Sequence, residues 1–213
     1  MTNEKNGLVS PSFGSHLSAA YIHDVKNLLS LLMSKAESNH DLESIHHLMA
    51  ADYKLNHLLF LYKSEADMLT LNIEPISPNS FLHIVAANYQ SFTLKSIEVE
   101  LGDDSAMAYI DKGLVELCIG NAIHNAERYA QNSIRLSARE ENGMTVLRVR
   151  DDGPGFSDEV LSNSGKSILS SSSSSGLGFY LASKIAERHV NKDVHGYLKL
   201  LNEEGAVFDM YFP

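Results

Sequence analysis

Cysteine is nearly absent. The one residue, Cys118, cannot close an internal disulfide, so a cytoplasmic location is the expectation. Long apolar runs are missing as well. No stretch approaches the ~18 residues that a membrane span needs. Met1–Ser10 lacks the apolar core of a secretory signal. Positive charge is scarce: 17 basic residues face 27 acidic ones, a formal net charge of −10, and the first 70 residues hold no arginine. That balance argues against a nucleic-acid surface. Apolar residues are not lacking. At 44% of 213 residues they can build a core, which excludes global disorder. The length allows one large domain or two small ones. Histidine is in excess, with ten in the chain and six of them before residue 71.

The hydrophobic pattern changes near Thr70. Before it, Leu17, Ala20, Val25, Leu28, Leu29, Leu32, Met33 and Ala36 recur at spacings of three and four, which predicts an amphipathic helix over 15–38. Asn39-His40-Asp41 predicts a tight turn, with Asp41 capping the next helix. Ile45, Leu48, Met49, Leu55, Leu59, Tyr62 and Ala66 continue the stripe to about residue 69, and Asp52 is its one acidic interruption. Two helices joined so tightly form an antiparallel hairpin. A lone hairpin leaves an apolar stripe uncovered, so a homodimeric four-helix bundle is expected. The reading is 1–14 disordered, 15–70 hairpin, 71–78 a linker around Pro75 and Pro78, and 79–213 a second domain. In that domain helices are expected at 81–90, 112–130 and 178–190. Strands are expected at 96–101, 133–139, 145–150, 197–201 and 206–212, with turns at Glu141-Asn142-Gly143 and Glu204-Gly205. Helices with a mostly antiparallel sheet make an α+β chain whose second part is a two-layer α/β sandwich. Ser170–Ser175 is the one low-complexity stretch.

Four segments can carry chemistry. Asp151-Asp152-Gly153-Pro154-Gly155-Phe156 follows a predicted strand; its glycines permit sharp turning and its first Asp can accept a bond from an exocyclic amine. The plain alternative is an acidic turn. Gly176-Leu177-Gly178-Phe179 opens a predicted helix, where backbone N–H groups can meet an anion. Asn121 and Asn125 share a helix face, with Arg128 and Tyr129 just beyond. A carboxamide oxygen suits Mg²⁺ and a guanidinium suits phosphate, although two asparagines also fit a solvated face. In the first helix, His23-Asp24-Val25-Lys26-Asn27 sets an imidazole beside a carboxylate and an amide. His16, His40, His46, His47 and His57 lack that surrounding and read as surface residues. His46-His47 has no third ligand at helical spacing.

Taken in order, His-Asp-x-Lys-Asn, N-A-x-x-N-A-x-R-Y, D-x-G-x-G and G-L-G resemble the sensor histidine kinase family from about residue 15 onward. The resemblance implies a dimerisation and phosphoacceptor hairpin followed by an ATP-binding domain of the Bergerat type. It gives His23 the role of phosphoacceptor and Asp24 that of its activating acid. Asn27 takes the place of the amide that orients water in dephosphorylation. Asn125 resembles the Mg²⁺ ligand, and Asn121 the asparagine one turn before it. Arg128 and Tyr129 resemble the phosphate-contacting base and the aromatic beside the nucleotide. Asp151 resembles the reader of the adenine amine, Gly153 and Gly155 the first glycine box, and Gly176 and Gly178 the second. Ser174 departs from the family where that box usually begins with glycine. The lid is expected at 163–175, with Lys166 its one basic residue. No sensor domain is visible.

The function so implied is a cytoplasmic kinase that phosphorylates His23 from Mg·ATP and passes the group to an aspartate on a response regulator receiver domain. Its input is expected from a separate sensor protein or through the first 14 residues, and the Pro75/Pro78 segment is its hinge. One rival is a histidine phosphotransfer protein or response-regulator phosphatase with a degenerate ATP domain. The other is a Bergerat-fold serine kinase of the anti-sigma-factor type, which shares the nucleotide motifs but has no need of His23 and Asn27.

Overall fold

The computed structural model describes residues 13–65, 70–102, 107–163 and 175–213. The chain divides into two compact units, Met1–Ala66 and Asp67–Pro213. In the first, α1 (Phe13–Ser38) and α2 (Leu42–Glu65) are joined by the turn Asn39-His40-Asp41. His40 turns the chain at φ 53°, a left-handed conformation that histidine enters more readily than most residues. The Asp41 N–H donates to the Ala36 carbonyl (3.0 Å) and closes α1. Asp41 then opens α2: its Oδ1 accepts the Ser44 N–H (3.1 Å) and its Oδ2 the Ser44 hydroxyl (2.6 Å). Those bonds hold its carboxyl below the usual carboxylate range. Ala36 and Ile45 are buried on either side of the turn. Lys26 Nζ donates to Asn56 Oδ1 (2.7 Å), and Asn56 Nδ2 donates to Asp52 (2.7 Å). Asp52 thus interrupts the apolar stripe of α2 in order to anchor a polar link to α1. Tyr21, Val25, Leu28 and Leu32, on one face of α1, are exposed.

The second unit begins with β1 (Ile73–Ile76), α3 (Pro78–Gln90), β2 (Ser96–Glu100), β3 (Ala108–Asp111) and α4 (Lys112–Tyr129). The strands β4 (Ser133–Glu141) and β5 (Met144–Asp151) lead to α5 (Asp158–Asn163) and α6 (Ser175–Arg188). It ends with β6 (Val190–Asn191), β7 (Val194–His195), β8 (Tyr197–Asn202) and β9 (Ala206–Phe212). The main sheet has the order β2-β4-β5-β9-β8, with β2 parallel to β4 and every other neighbour antiparallel. Strand alternation sorts its two faces. Leu136, Leu147, Phe208, Met210 and Phe212 point to one side and are buried with apolar residues of α3, α4 and α6. On the other side lies Asp209, 0% exposed. Its carboxylate accepts Arg148 Nε (2.7 Å), Arg148 Nη2 (2.7 Å) and Arg139 Nη2 (3.0 Å). The hydrogen bonds from Arg148 to Asp209 push its guanidinium pKa upward. Tyr197 and Tyr211 stack on the same face, 4.2 Å apart.

Residues 71–78 are not a linker. Residues 73–76 form β1, antiparallel to β3, and Pro78 is the first residue of α3 behind its cap Ser77. Both prolines sit where proline is tolerated: Pro75 on a two-stranded edge, Pro78 at a position whose N–H needs no helical partner. The expected hinge therefore falls inside the second unit, and the division between units is at Ala66/Asp67. The sequence reading also missed β3, α5 and the β6–β7 ribbon. His189, between α6 and β6, is buried. Its Nε2 accepts the Asp111 N–H (2.9 Å) and its Nδ1 lies 2.8 Å from the Ile185 carbonyl, which places the proton on Nδ1. It ties the end of α6 to the end of β3, where Asp111 caps α4 through the Leu114 N–H (3.0 Å).

Candidate functional site

Strand β5 ends at Asp151, and the chain turns sharply over 152–157 before α5. Asp151 is 6% exposed. Its Oδ1 accepts the N–H of Gly153 (2.8 Å) and of Ala206 (3.2 Å), so the turn and the start of β9 are fixed on one oxygen. Its Oδ2 takes no hydrogen bond from the described residues and is available to a donor. Asp152 points the other way. Its carboxylate accepts the N–H groups of Gln131 (2.8 Å), Asn132 (3.0 Å) and Ser133 (3.2 Å) and so fixes the α4–β4 connection. Burial opposes its charge, but the backbone donors prevail and hold it below the usual carboxylate range.

Two glycines make this approach possible. Gly155 has φ 83°, and a Cβ there would lie 2.7 Å from Asn202 Cγ. Gly205 has φ 135°, and a Cβ there would collide with the Asp151 carbonyl oxygen. Between them the end of β8 grips the turn: Phe156 N–H donates to Asn202 Oδ1 (2.8 Å) and Asn202 Nδ2 donates to the Phe156 carbonyl (3.0 Å). The Phe156 ring meets Phe179 edge-on at 5.4 Å, and Phe179 leans on Phe208 at 6.3 Å.

These elements enclose a cavity of about 300 Å³. Its walls are mostly apolar, with Ala122, Val149, Phe179 and Phe208 among them, and Asn125, Asp151 and Ser157 are its polar points. Such a slot suits a flat heteroaromatic ring that presents an amine to Asp151. The amides of Asn121 and Asn125 add a second demand. Both Nδ2 atoms are buried without a partner among the described residues, a cost of about 1–3 kcal/mol each. They sit one turn apart on α4, and Asn125 lines the cavity. Ligand oxygens meet that demand. Among the described residues no cluster of three His, Cys, Asp or Glu could hold a metal. A cation here would therefore lean on an amide oxygen and on its ligand's oxygens, the habit of Mg²⁺.

The structure brings Asn125, Tyr129, Asp151 and Gly155 to the cavity wall. Gly153 lies behind it, bonded to Asp151. Asn121 is buried one turn deeper in α4. Arg128 is exposed, its guanidinium 5.7 Å from the Tyr129 ring centre. Gly176 and Gly178 lie in the first turn of α6, just before Phe179. His23, Asp24 and Asn27 are on α1, in the other unit; Asp24 and Asn27 are exposed, and the His23 side chain is outside the described part. Of the expected lid, residues 164–174, with Lys166 and Ser174, lie outside the described residues. Sequence reasoning missed Asn202, Ala206, Phe179 and Phe208 as site residues. Phe179 stood beside a motif, but nothing local marks Asn202, which is 46 residues from the loop it holds.

Residues 110–213 match the family model described as histidine kinase-, DNA gyrase B- and HSP90-like ATPase. This segment resembles the ATPase domain that histidine kinases share with DNA gyrase B and HSP90. The sensor histidine kinase YkoH of Bacillus subtilis is 27% identical over 156 residues, which cover 70% of this chain and 34% of that protein. The chain spans between 14% and 34% of the length of such sensor relatives. The histidine kinase AdeS of Acinetobacter baumannii superposes with a TM-score of 0.59 at 19% identity, over 89% of this chain and 96% of that one. Full-length ShkA, solved in complex with AMPPNP, superposes at 0.61 with 18% identity, over 93% of this chain and 46% of that one. At such identities the likeness is one of fold. No helix among the described residues is long and apolar enough to cross a membrane.

Proposed function

We propose that this chain is a histidine kinase that binds Mg·ATP in the cavity, phosphorylates His23 and passes the phosphoryl group to an aspartate of a response regulator. One observation carries the reading: among the described residues, Asp151 keeps a carboxylate oxygen without a partner in an apolar slot that Asn125 also lines, and the Asn125 amide nitrogen is unpartnered there too. Asp151 receives the adenine amine. Asn125, with Asn121 behind it, receives the phosphate end, and the first turn of α6 at Gly176 and Gly178 offers its backbone N–H groups to the same charge. Arg128 and Tyr129 flank the nucleotide. Asn125 would hold a magnesium ion through its amide oxygen, and the ion would neutralise charge on the triphosphate. Catalysis is then mostly positioning of an in-line transfer to the imidazole. Asp24, next to His23, takes up the imidazole proton, and Asn27 orients water when the regulator is dephosphorylated.

The exposed stripe Tyr21, Val25, Leu28 and Leu32 supports a second copy packing on α1, which makes the acting species a homodimer. The test is incubation with γ-labelled ATP and Mg²⁺. Acid-labile, base-stable label that disappears in His23→Ala is the expected result. Acid-stable label that persists in His23→Ala overturns the reading. Absence of both label and nucleotide binding favours a phosphotransfer protein instead.

A further inference from the structure

The sequence motifs on either side of the cavity are turns, and a turn with glycine in it has many conformations to lose on binding. Something must select one before the nucleotide arrives. Asp151 holds the near side of the 152–157 turn through the Gly153 N–H. The far side, at Phe156, has no strand partner. Asn202 takes that place. Its amide closes on both main-chain groups of Phe156, at 2.8 and 3.0 Å, as a neighbouring strand would. The fit is reciprocal. Gly155 must be glycine because the Asn202 amide occupies the volume of its Cβ, with Cγ, Oδ1 and Nδ2 at 2.7, 2.8 and 2.9 Å.

The consequence reaches both glycine segments. Phe156 lines the cavity and meets Phe179 edge-on at 5.4 Å. Phe179 follows Gly178 in the first turn of α6 and is itself buried in the wall. A Phe156 main chain held in one place therefore sets one ring, and that ring sets its neighbour. Asn202 itself is exposed and does not line the cavity. Water can replace both of its bonds when it is removed, so the fold loses little. What is lost is the preference of the empty turn for its binding conformation, and that loss falls on affinity.

We infer that Asn202 is a positioning residue for the nucleotide: it holds the Gly155–Phe156 turn in the shape that binds and, through the Phe156–Phe179 pair, aligns the start of α6. This deepens the Mg·ATP reading and rests on it. The experiment compares full-length wild type, Asn202→Ala, Phe156→Ala and the double variant by calorimetric titration with Mg·ATP and by thermal melting. The expected result is a Kd about tenfold higher for Asn202→Ala, with Tm within about 2 °C of wild type. Autophosphorylation should show a raised KM for ATP and an unchanged kcat at saturation, because Asn202 touches no reacting atom. In the Phe156→Ala background the Asn202 substitution should add clearly less than it does alone, since both act through one turn. Asn202→Ala with wild-type affinity overturns the inference while the nucleotide reading stands. So does an affinity loss that adds in full to that of Phe156→Ala, or one matched by a large fall in Tm. A wild-type chain that binds no nucleotide overturns both the reading and the inference resting on it.

Discussion

Replacing Gly205 by alanine tests whether the β8–β9 turn and the Asp151 carboxylate form one device. Gly205 sits at φ 135°, where an L side chain is strained by about 1–3 kcal/mol. The added methyl also lands on the Asp151 carbonyl oxygen, with the Asp151 carbonyl carbon at 2.8 Å and Asp152 Cα at 3.3 Å. These are backbone atoms at the end of a sheet strand and cannot swing aside as a flexible side chain can. Relief must come from the 203–206 turn moving away. That movement takes the Ala206 N–H from Asp151 Oδ1, a bond of 3.2 Å to a charged acceptor worth about 1.5–3 kcal/mol. Together the loss is about 3–6 kcal/mol, the upper part of the range for a single substitution. For a unit of this size each kcal/mol moves Tm by about 2–4 °C, so Gly205→Ala should melt on the order of 10 °C below wild type. Because the displaced atoms belong to the cavity wall, the nucleotide-induced rise in Tm should shrink as well. Differential scanning fluorimetry with and without Mg·ATP reads both quantities. A Gly205→Ala protein that melts within a degree or two of wild type, with its full nucleotide shift, would refute the close approach and the reasoning built on it.

Asp209→Ala removes the shared acceptor of Arg139 and Arg148 on the opposite face of the sheet, leaving Arg139 to Glu141 and Arg148 to Glu203. The arginines' remaining solvent access tempers the penalty to about 3 kcal/mol; urea denaturation should show that loss while nucleotide affinity stays unchanged. A parallel loss of affinity would show that the two faces of the sheet are not independent. His189 predicts a pH effect. Burial holds its native pKa below the usual imidazole range, against the opposing pull of the Ile185 carbonyl and of Asp111. The unfolded chain therefore binds a proton first. Its contribution to stability is full above the unfolded value of about 6.5 and is lost as pH falls from there towards the lower native value. The urea midpoint of wild type should drop between about pH 6.5 and 5 more steeply than that of His189→Gln. Equal slopes would mean that His189 titrates alike in both states.

Periodicity alone was enough for the long elements. The period-three-and-four stripes of α1 and α2 and the turn at Asn39-His40-Asp41 were legible, as were the strands β2, β4, β5, β8 and β9, because each signal lies within a few neighbouring residues. The order of the nucleotide motifs likewise carried the family, since Asn125, Asp151, Gly155 and Gly178 stand in short segments of recognisable spacing. Proline misled at 71–78. Its local meaning as a breaker was overruled by a partner strand, β3, whose pairing with β1 is a long-range fact. The sequence by itself thus determined the types of the long elements and the resemblance to histidine kinase ATPase domains. Tertiary structure alone decided which candidate residues share a cavity, and that Asn202 and Gly205 pack against its turn and strand end from the far end of the chain. It also decided that Asp209 is buried beneath two arginines rather than solvated. The physical reason is distance along the chain. A helix or strand pattern is written in neighbours. A clamp on a turn, a carboxylate's two donors and a buried charge's partners depend on segments tens of residues apart that meet only when the sheet has formed.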